Sequence, residues 1–366
     1  MLLAPTWHAD RVDRDGLLAH RLATQGLTGP GFQSVEKAVC SLVCAQSQDA
    51  PLARWSLAMR TGHLTDDGVR AAVDSGRVVR THVLRPTWHY LLAEDLRWLL
   101  ELTAPKVRSQ MTARHRQLGL DDPAVVGGEH AWLVGRLRDG QHLTRRALVR
   151  DDLGGERLGH LLMLAELDGL ICSGRLERGQ HTYALTDEWL PPTRPLDREE
   201  ALRSLVLRFF TGHGPASVAN MMRWATATKR EIATTLADLG GSLASTEVDG
   251  DTFCHAPGPP RAPARSGTWL LPVFDEAYLS YPGSNYPRAA DHPWGARGHS
   301  FSESGGGVVV SDLRDVGWWK RKQSAQTTTV TVGLSPSLGG RQRREVEEQA
   351  EALAAFTGRA LDLVHA

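Results

Sequence analysis

The sequence predicts an α+β fold in which three successive helical units, each ending in a β-hairpin, precede a β-rich C-terminal region with a closing helix. Apolar residues recur at helical spacing before each hairpin, and the hairpin segments alternate or carry β-branched residues. With 366 residues the chain exceeds one comfortable hydrophobic core, so we expect several modules. Helices followed by a hairpin are the sequence outline of a winged helix, a helix-turn-helix variant with a β wing.

The first predicted unit occupies residues 12–120. Helices are predicted at residues 14–25, 34–44 and 66–74, and from Asp49 onward. Residues 77–85 alternate and predict a strand, and residues 87–92 return as a second strand after Pro86. This unit is therefore expected to have three or four helices followed by a hairpin.

The same outline recurs twice, in residues 128–189 and 197–256. For the second unit, helices are predicted at residues 131–137, 145–149 and 156–167, and the hairpin at 170–172 and 182–185. For the third unit, helices are predicted at residues 199–210, 218–224 and 229–239, and the hairpin around 243–248 and 252–254. Three units in register predict a tandem array of three winged helices.

Residues 267–366 form the predicted C-terminal β region. Residues 281–307 are rich in Gly, Pro and His and predict a long loop. A hairpin is expected at residues 308–320, with Leu313 and Arg314 at its tip. A β-branched strand at residues 327–332 and a closing helix at residues 341–356 complete the prediction.

The charge balance excludes a strongly basic, nonspecific polyanion binder, since 42 Lys and Arg residues match 42 Asp and Glu residues. The four cysteines are too few and too dispersed for a disulfide scaffold. We find no signal core, no run of membrane-spanning length and no histidine pair of zinc-binding spacing. The expectation is a cytoplasmic protein without metal or cofactor.

A polar junction between two predicted helices contains Gln46 and Gln48. Asp49 can cap the second helix, with Pro51 in its first turn. In an extended segment residues two apart share one face, so a break here would direct both amides into the same cleft. The alternative is that two glutamines in a polar connector have no chemical role.

Four stretches resemble the AlkZ/YcaQ family of winged-helix bacterial DNA glycosylases. They lie at residues 43–51, at residues 85–89 with the following 93–99, at residues 270–276, and at the hairpin end 316–319. The resemblance covers nearly the whole chain in the right order. It implies three winged helices arranged as a C-shaped DNA clamp, completed by the C-terminal β region.

The family's catalytic motif is Gln-aliphatic-Gln in the AlkZ branch and Gln-aliphatic-Asp in the YcaQ branch, so Gln46 and Gln48 match the former. Ser47 departs from the aliphatic residue at the middle position of the motif. An N7-alkylated guanine leaves as a neutral base, so amide oxygens suffice to place a water and stabilise developing charge. Asp49 is expected as a helix cap and catalytic support.

The resemblance implies a monofunctional glycosylase for bulky N7-alkylpurine adducts, with interstrand crosslinks as a further substrate. The expected biological role is self-resistance to a DNA-alkylating antibiotic. Two alternatives remain open: a non-enzymatic winged-helix DNA-binding regulator, and a YcaQ-like general alkylation repair glycosylase. The expected partner is double-stranded DNA, bound by a monomer.

DNA contacts are predicted at two places, the first wing and the C-terminal hairpin. In the hairpin, an arginine with an apolar neighbour suits insertion into a minor groove. The predicted DNA-contacting residues are Arg85, Thr87, Trp88, His89, Leu313, Arg314, Lys320, Arg321 and Lys322. The alternatives are that Trp88 and His89 belong to the core of the first wing, and that the hairpin is structural with a solvated tip.

Overall fold

The computed structural model describes residues 13–62, 64–258, 267–283, 285–294 and 305–366. Its first 120 residues contain five helices and three strands within the described range. These are α1 (Arg14–Thr24), α2 (Val35–Leu42), β1 (Cys44–Gln46), α3 (Ala50–Met59), α4 (Asp66–Asp74), β2 (Val78–His82), β3 (Trp88–Leu92) and α5 (Leu96–Gln117). The strands form an antiparallel sheet in the order β1-β3-β2.

Two further helical regions follow, each with its own small antiparallel sheet. The first contains α6 (Pro123–Leu137), β4 (Leu143–Thr144), α7 (Gly155–Leu167), β5 (Ile171–Ser173), β6 (Thr182–Leu185) and α8 (Thr186–Trp189). The second contains α9 (Arg198–Gly212), α10 (Val218–Trp224), α11 (Lys229–Leu239), β7 (Ala244–Val248) and β8 (Asp251–His255). The predicted order of helices followed by a hairpin is thus present three times, and the predicted α+β class is confirmed. The unit boundaries stay predictions.

A five-stranded sheet dominates the C-terminal region. Its elements are β9 (Thr268–Pro272), α12 (Glu276–Leu279), β10 (Gly306–Ser311), β11 (Arg314–Gln323), β12 (Thr327–Leu334), α13 (Gly340–Phe356) and β13 (Ala360–His365). The strand order is β13-β12-β11-β10-β9, antiparallel except for the parallel pair β12 and β13. Residues 284 and 295–304 of the predicted loop 281–307 lie outside the described residues.

The first helical unit and the C-terminal sheet share one hydrophobic core. Trp55 of α3 and Trp319 of β11 are fully buried in the same apolar cluster, together with Leu353 of α13. The Trp55 and Trp319 indole N–H groups donate to the carbonyls of neighbouring β9 residues. A second cluster joins β2, β3 and α5 to α9, α10 and α11. The segment after α2 therefore lies where three parts of the chain pack together.

A buried ion pair connects these parts. Arg60 donates to both carboxylate oxygens of Asp275, at 2.9 and 2.7 Å, and both side chains are fully buried. Ser56 donates to the same carboxylate at 2.6 Å, and Asp275 also accepts from the N–H of Ala277 at the start of α12. Gln25 accepts from Arg60 as well. These bonds fix the loop before α12 against α3 and α1.

Within the described ranges, none of the helices is both apolar and long enough to traverse a lipid bilayer.

Candidate functional site

The segment that carries Gln46 is a short strand between two helices. Ser34 caps α2 by accepting from the Lys37 N–H, and α2 ends at Val43, whose φ is +62° and ψ −55°. This conformation is rare for a β-branched residue and turns the chain sharply. Strand β1 then pairs antiparallel with β3, which sets Gln46 opposite His89. The predicted break between two helices is confirmed.

Gln46 is held at both its backbone and its side chain. Its side-chain Oε1 accepts a hydrogen bond from Arg85 Nη2 at 2.7 Å. Its backbone N–H donates to Oε1 of Glu276 at 2.8 Å. The residue is only 7% exposed. The amide is therefore fixed in rotation as well as in position.

Two tight turns place Arg85 beside this amide. Leu84 has a φ of +63°, and the N–H of Arg85 bonds to the Val83 carbonyl at 2.7 Å, which closes a γ-turn. The N–H of Thr87 bonds in the same way to the Arg85 carbonyl at 2.7 Å. The guanidinium also donates to the carbonyl of Trp224 at 3.0 Å. Burial lowers the pKa of Arg85, and the nearby Glu276 charge opposes that shift.

Glu276 completes the surroundings of Gln46 from the C-terminal region. Its Oε2 accepts from Trp224 Nε1 at 2.9 Å and from the Ser280 hydroxyl at 2.7 Å. Glu276 and Trp224 are each 1% exposed. Four residues thus form a closed ring of hydrogen bonds, which we call the Gln46 ring: Gln46, Arg85, Trp224 and Glu276.

His89 of β3 contacts Arg85, which lies in the turn before that strand. Its Nδ1 lies 2.9 Å from the Thr87 carbonyl and its Nε2 lies 3.1 Å from Arg85 Nη2. Since a carbonyl can only accept, Nδ1 carries the proton and Nε2 accepts from the guanidinium. Burial, followed by the charge of Arg85, holds the pKa of His89 well below its usual range. The imidazole is therefore neutral.

Ser47 is fixed through its backbone while its side chain is left without a partner. Its N–H donates to the Trp88 carbonyl at 2.7 Å, and its carbonyl accepts from Arg80 at 2.9 and 3.1 Å. The residue is fully buried, and its hydroxyl has no hydrogen-bond partner among the described residues. The Ser47 side chain thus occupies an enclosed position, the one at which the AlkZ/YcaQ motif has an aliphatic residue.

We expect Ser47→Ala to leave the fold intact and to stabilise it slightly. A buried hydroxyl without a partner costs about 1–3 kcal/mol relative to a satisfied one, and alanine removes it at the expense of a small cavity. The net change should be a rise of the unfolding free energy by up to about 1 kcal/mol. Thermal and urea unfolding of the variant measure it. A clear loss of stability would mean that the hydroxyl has a partner in solution.

Gln48 and Asp49 follow at the start of α3. Asp49 Oδ1 accepts from the Leu52 N–H at 3.0 Å, so the predicted helix cap is confirmed, with Pro51 in the first turn. Gln48 is exposed. A small crevice beside this turn is lined by Gln46, Asp49, Leu52, Ala53, Ser56 and residues 272–275. Gln46 and Asp49 therefore both line one crevice, and Gln48 is not among its lining residues.

The predicted wing residues are mostly engaged within the protein. Trp88 packs under the guanidinium of Arg80, at 4.5 Å, and its indole N–H donates to Glu166 at 3.3 Å. His89 is fully buried, which agrees with the alternative that it is a core residue and contradicts a direct DNA contact by its side chain in this conformation. Thr87 is half-buried. Arg85 contacts Gln46, a role that the sequence analysis did not predict.

The prediction that Leu313 and Arg314 form an exposed hairpin tip is wrong. Asp312 and Leu313 form the two-residue turn between β10 and β11, both with positive φ. Leu313 is buried in the core shared with α3, at 7% exposure. Arg314 forms an ion pair with Asp15 of α1 at 2.8 Å, and Asp312 pairs with Arg341. The turn is thus tied down on both sides.

The three basic side chains at residues 320–322 of β11 point alternately to the two faces of the sheet. Lys320 and Lys322 are exposed, and the Lys320 ammonium lies 5.4 Å from the Trp318 ring. Arg321 is half-buried on the other face. Burial lowers its pKa, and the charge of Asp49 raises it more than any other neighbour does. Arg321 therefore lies near the start of α3, whereas Lys320 and Lys322 point to the opposite face of the strand.

Sequence reasoning missed the partners that hold the glutamine. Glu276 and Arg85 were both within stretches that carried the family resemblance, at residues 270–276 and 85–89. Trp224, at the end of a predicted helix, gave no local signal. Their contact with Gln46 depends on packing between distant segments, and only the structure brings them together.

Comparison with known proteins identifies the family and the fold of the chain. The family described as "DNA glycosylase AlkZ-like" matches residues 39–356, most of the chain. A solved structure, the DNA glycosylase AlkZ of Streptomyces sahachiroi, superposes with a TM-score of 0.70 over 97% of this chain and 100% of that one, at 22% identity, which indicates a shared fold. No curated protein sequence matches significantly. The chain belongs to the AlkZ-like DNA glycosylase family.

Proposed function

We propose that this protein is a monofunctional DNA glycosylase that hydrolyses the N-glycosidic bond of N7-alkylated purines in double-stranded DNA. The observation that carries the proposal is that Gln46 is buried, that Arg85 holds its amide oxygen, and that it lines one crevice together with Asp49. An N7-alkylpurine carries positive charge and departs as a neutral base. The site then needs to hold a water and to stabilise an oxocarbenium-like sugar, but it needs no strong acid.

In this proposal Gln46 and Gln48 act on the same water, and Asp49 supports them. The Oε1 of Gln46 has a second lone pair beside the one that accepts from Arg85, so it can still accept from a water. Gln48, two residues further along the junction, is exposed and can contact bound DNA. Asp49 offers a carboxylate at the crevice, with one oxygen committed to the α3 cap. A lysine nucleophile plays no part, so no Schiff-base lyase step is included.

The DNA is proposed to lie across the junction as a duplex held by three winged helices in a C-shaped clamp. The three repeats of helices followed by a small antiparallel sheet support this arrangement. The exposed Lys320 and Lys322 on β11 are suited to phosphate contacts. One chain carries all of the proposed site residues, which is consistent with action as a monomer.

We expect Lys320→Ala/Lys322→Ala to weaken binding to duplex DNA in a salt-dependent way. Each lost phosphate contact should reduce the slope of log K against log salt by roughly 0.9. Fluorescence anisotropy with an undamaged duplex at several salt concentrations measures the slope. The exchange Lys229→Ala, at the exposed start of α11, serves as a matched control. Unchanged affinity and slope in the β11 variant would remove these lysines from the interface.

The substrate range is tested with three duplexes, carrying N7-methylguanine, a bulky N7-alkylguanine or an N7–N7 interstrand crosslink. We propose that the bulky adduct and the crosslink are released, as expected for self-resistance to a DNA-alkylating antibiotic. Denaturing gels detect unhooked strands, and chromatography detects free base. Release of only the methyl adduct would favour the general repair glycosylase. Binding without release from any of the three would favour the DNA-binding regulator.

A further inference from the structure

The Gln46 ring joins segments that are far apart in sequence. Its four links measure 2.7, 3.0, 2.9 and 2.8 Å and run through the side chain of Arg85, the carbonyl and indole of Trp224, and the carboxylate of Glu276. The ring begins at the side chain of Gln46 and ends at its backbone N–H. Rotation of the amide therefore requires breaking the ring.

The guanidinium determines which end of the amide faces it. A primary amide has an accepting oxygen and a donating NH₂ of similar size, and a guanidinium can only donate. Turning the Gln46 amide around would set two donors against each other at a site that is 7% exposed. Arg85 thus directs Oε1 of Gln46 toward itself and the NH₂ away from itself.

His89 in turn fixes Arg85. Nη2 of Arg85 has two hydrogens, and its two close acceptors are Gln46 Oε1 at 2.7 Å and His89 Nε2 at 3.1 Å. Nη1 donates to the Trp224 carbonyl. Because the imidazole is neutral and its Nδ1–H is used on Thr87, it can only accept from the guanidinium. Arg85 is half-buried and committed to these internal partners.

We propose that Arg85 is a positioning residue for the glycosylase reaction, which acts by fixing the orientation of the Gln46 amide and not by binding DNA phosphate. The inference rests on the proposed role of Gln46 in excision. It replaces the DNA contact that the sequence suggested for Arg85. A phosphate-binding arginine directs most of its N–H groups outward, whereas Arg85 uses three of its five, both on Nη2 and one on Nη1, inside the protein.

The first arm of the test is single-turnover excision of N7-methylguanine from a duplex. Arg85→Met, which keeps the bulk of the side chain, should slow excision by up to about 10²-fold. Arg85→Lys should be nearly as slow, because a single ammonium group cannot replace the several fixed N–H donors of the guanidinium. In the Gln46→Ala background, Arg85→Met should cause no further loss, since it acts only through the amide. If the double variant is slower than Gln46→Ala by the same factor that Arg85→Met loses in the wild type, the proposal is overturned.

The second arm measures DNA affinity over a salt series. Arg85→Met should keep the wild-type slope of log K against log salt, whereas the matched control Lys322→Ala should lower it by roughly 0.9. A lowered slope for Arg85→Met would identify Arg85 as a phosphate contact and overturn the proposal. Arg223→Met is a second control, in which an exposed arginine is replaced in the same way as Arg85. Arg223 lies close enough to Arg85 that its charge lowers the pKa of Arg85.

The third arm does not depend on activity. In protein labelled with ¹⁵N-glutamine, the side-chain NH₂ signals of Gln46 are assigned by their loss in Gln46→Ala. We expect them to be resolved in the wild type and to collapse toward exchange-averaged positions in Arg85→Met and Arg85→Lys. Unchanged signals would overturn the proposal. If the wild-type protein releases no base, the proposed function fails, and this arm still decides whether Arg85 orients the amide.

Discussion

Gln46→Ala should slow single-turnover base excision by about 10²–10³-fold, the range for losing one hydrogen bond to a transition state. The structure gives the reason: Gln46 is buried, its side-chain oxygen and its backbone N–H are both hydrogen-bonded, and it lines the crevice with Asp49. Backbone contacts of the residue do not depend on its side chain, so the fold should persist. Circular dichroism and the thermal midpoint check this.

Gln48→Ala is expected to fall in the same range, because both amides are proposed to act on one water. Gln141→Ala, an exposed glutamine between α6 and β4, serves as the matched control and should excise at the wild-type rate. Excision rates for Gln46→Ala and Gln48→Ala equal to that of the control, in folded protein, would remove the motif from the mechanism.

Asp275→Ala should produce the largest loss of stability, about 3–5 kcal/mol of unfolding free energy. Its partner Arg60 is fully buried, and removal of the carboxylate leaves that guanidinium without its counter-charge. The same change removes the acceptor of Ser56 and the cap of α12, which carries Glu276. Urea unfolding measures the loss.

Asp187→Ala provides the contrasting case, since its ion pair with Arg97 is solvent-exposed at the aspartate. Pairs of this kind contribute about 0–1 kcal/mol. If Asp275→Ala costs no more than Asp187→Ala, then the buried pair does not hold the α12 loop. Because the α12 loop supplies Glu276 to the Gln46 ring, a destabilised Asp275 variant should also lose excision activity.

Local signals predicted the elements around the site well. Asp49 caps α3 as expected, because a side-chain oxygen next to an apolar repeat is enough to define a helix start. The break that carries Gln46 followed from this cap and from Pro51 in the first turn of α3. The long helix α5 was missed, since Pro105 lies inside it and its outer faces are strongly charged. The terminal strand β13 was also missed, as its side chains are largely exposed.

Contacts between distant segments could not be predicted in the same way. Arg85 reaches Gln46 because strand register sets Gln46 opposite His89 and a turn with positive φ at Leu84 redirects the next residue. Glu276 reaches the same amino acid from 230 positions further along the chain. Pattern alone carries no information about such register and packing.

The β10–β11 turn shows the same limit. The sequence places Leu313 at a hairpin tip, and tips are usually exposed. In the structure the turn packs between α1 and α13, because Asp15 and Arg341 bind its two sides, and Leu313 fills the core beneath it. Whether a hairpin turn is exposed to solvent depends on the segments that pack against it, and the sequence of the hairpin does not predict those segments.

Release of free N7-methylguanine from a defined duplex is the most direct measurement of the central claim, that water displaces the base at a site built on Gln46. Base is quantified under single-turnover conditions for the wild type, for Gln46→Ala and without protein. The account predicts release by the wild type well above spontaneous depurination, a rate lower by about 10²–10³-fold in Gln46→Ala, and an unbroken strand at the abasic site. Wild-type release no faster than the spontaneous rate would contradict it.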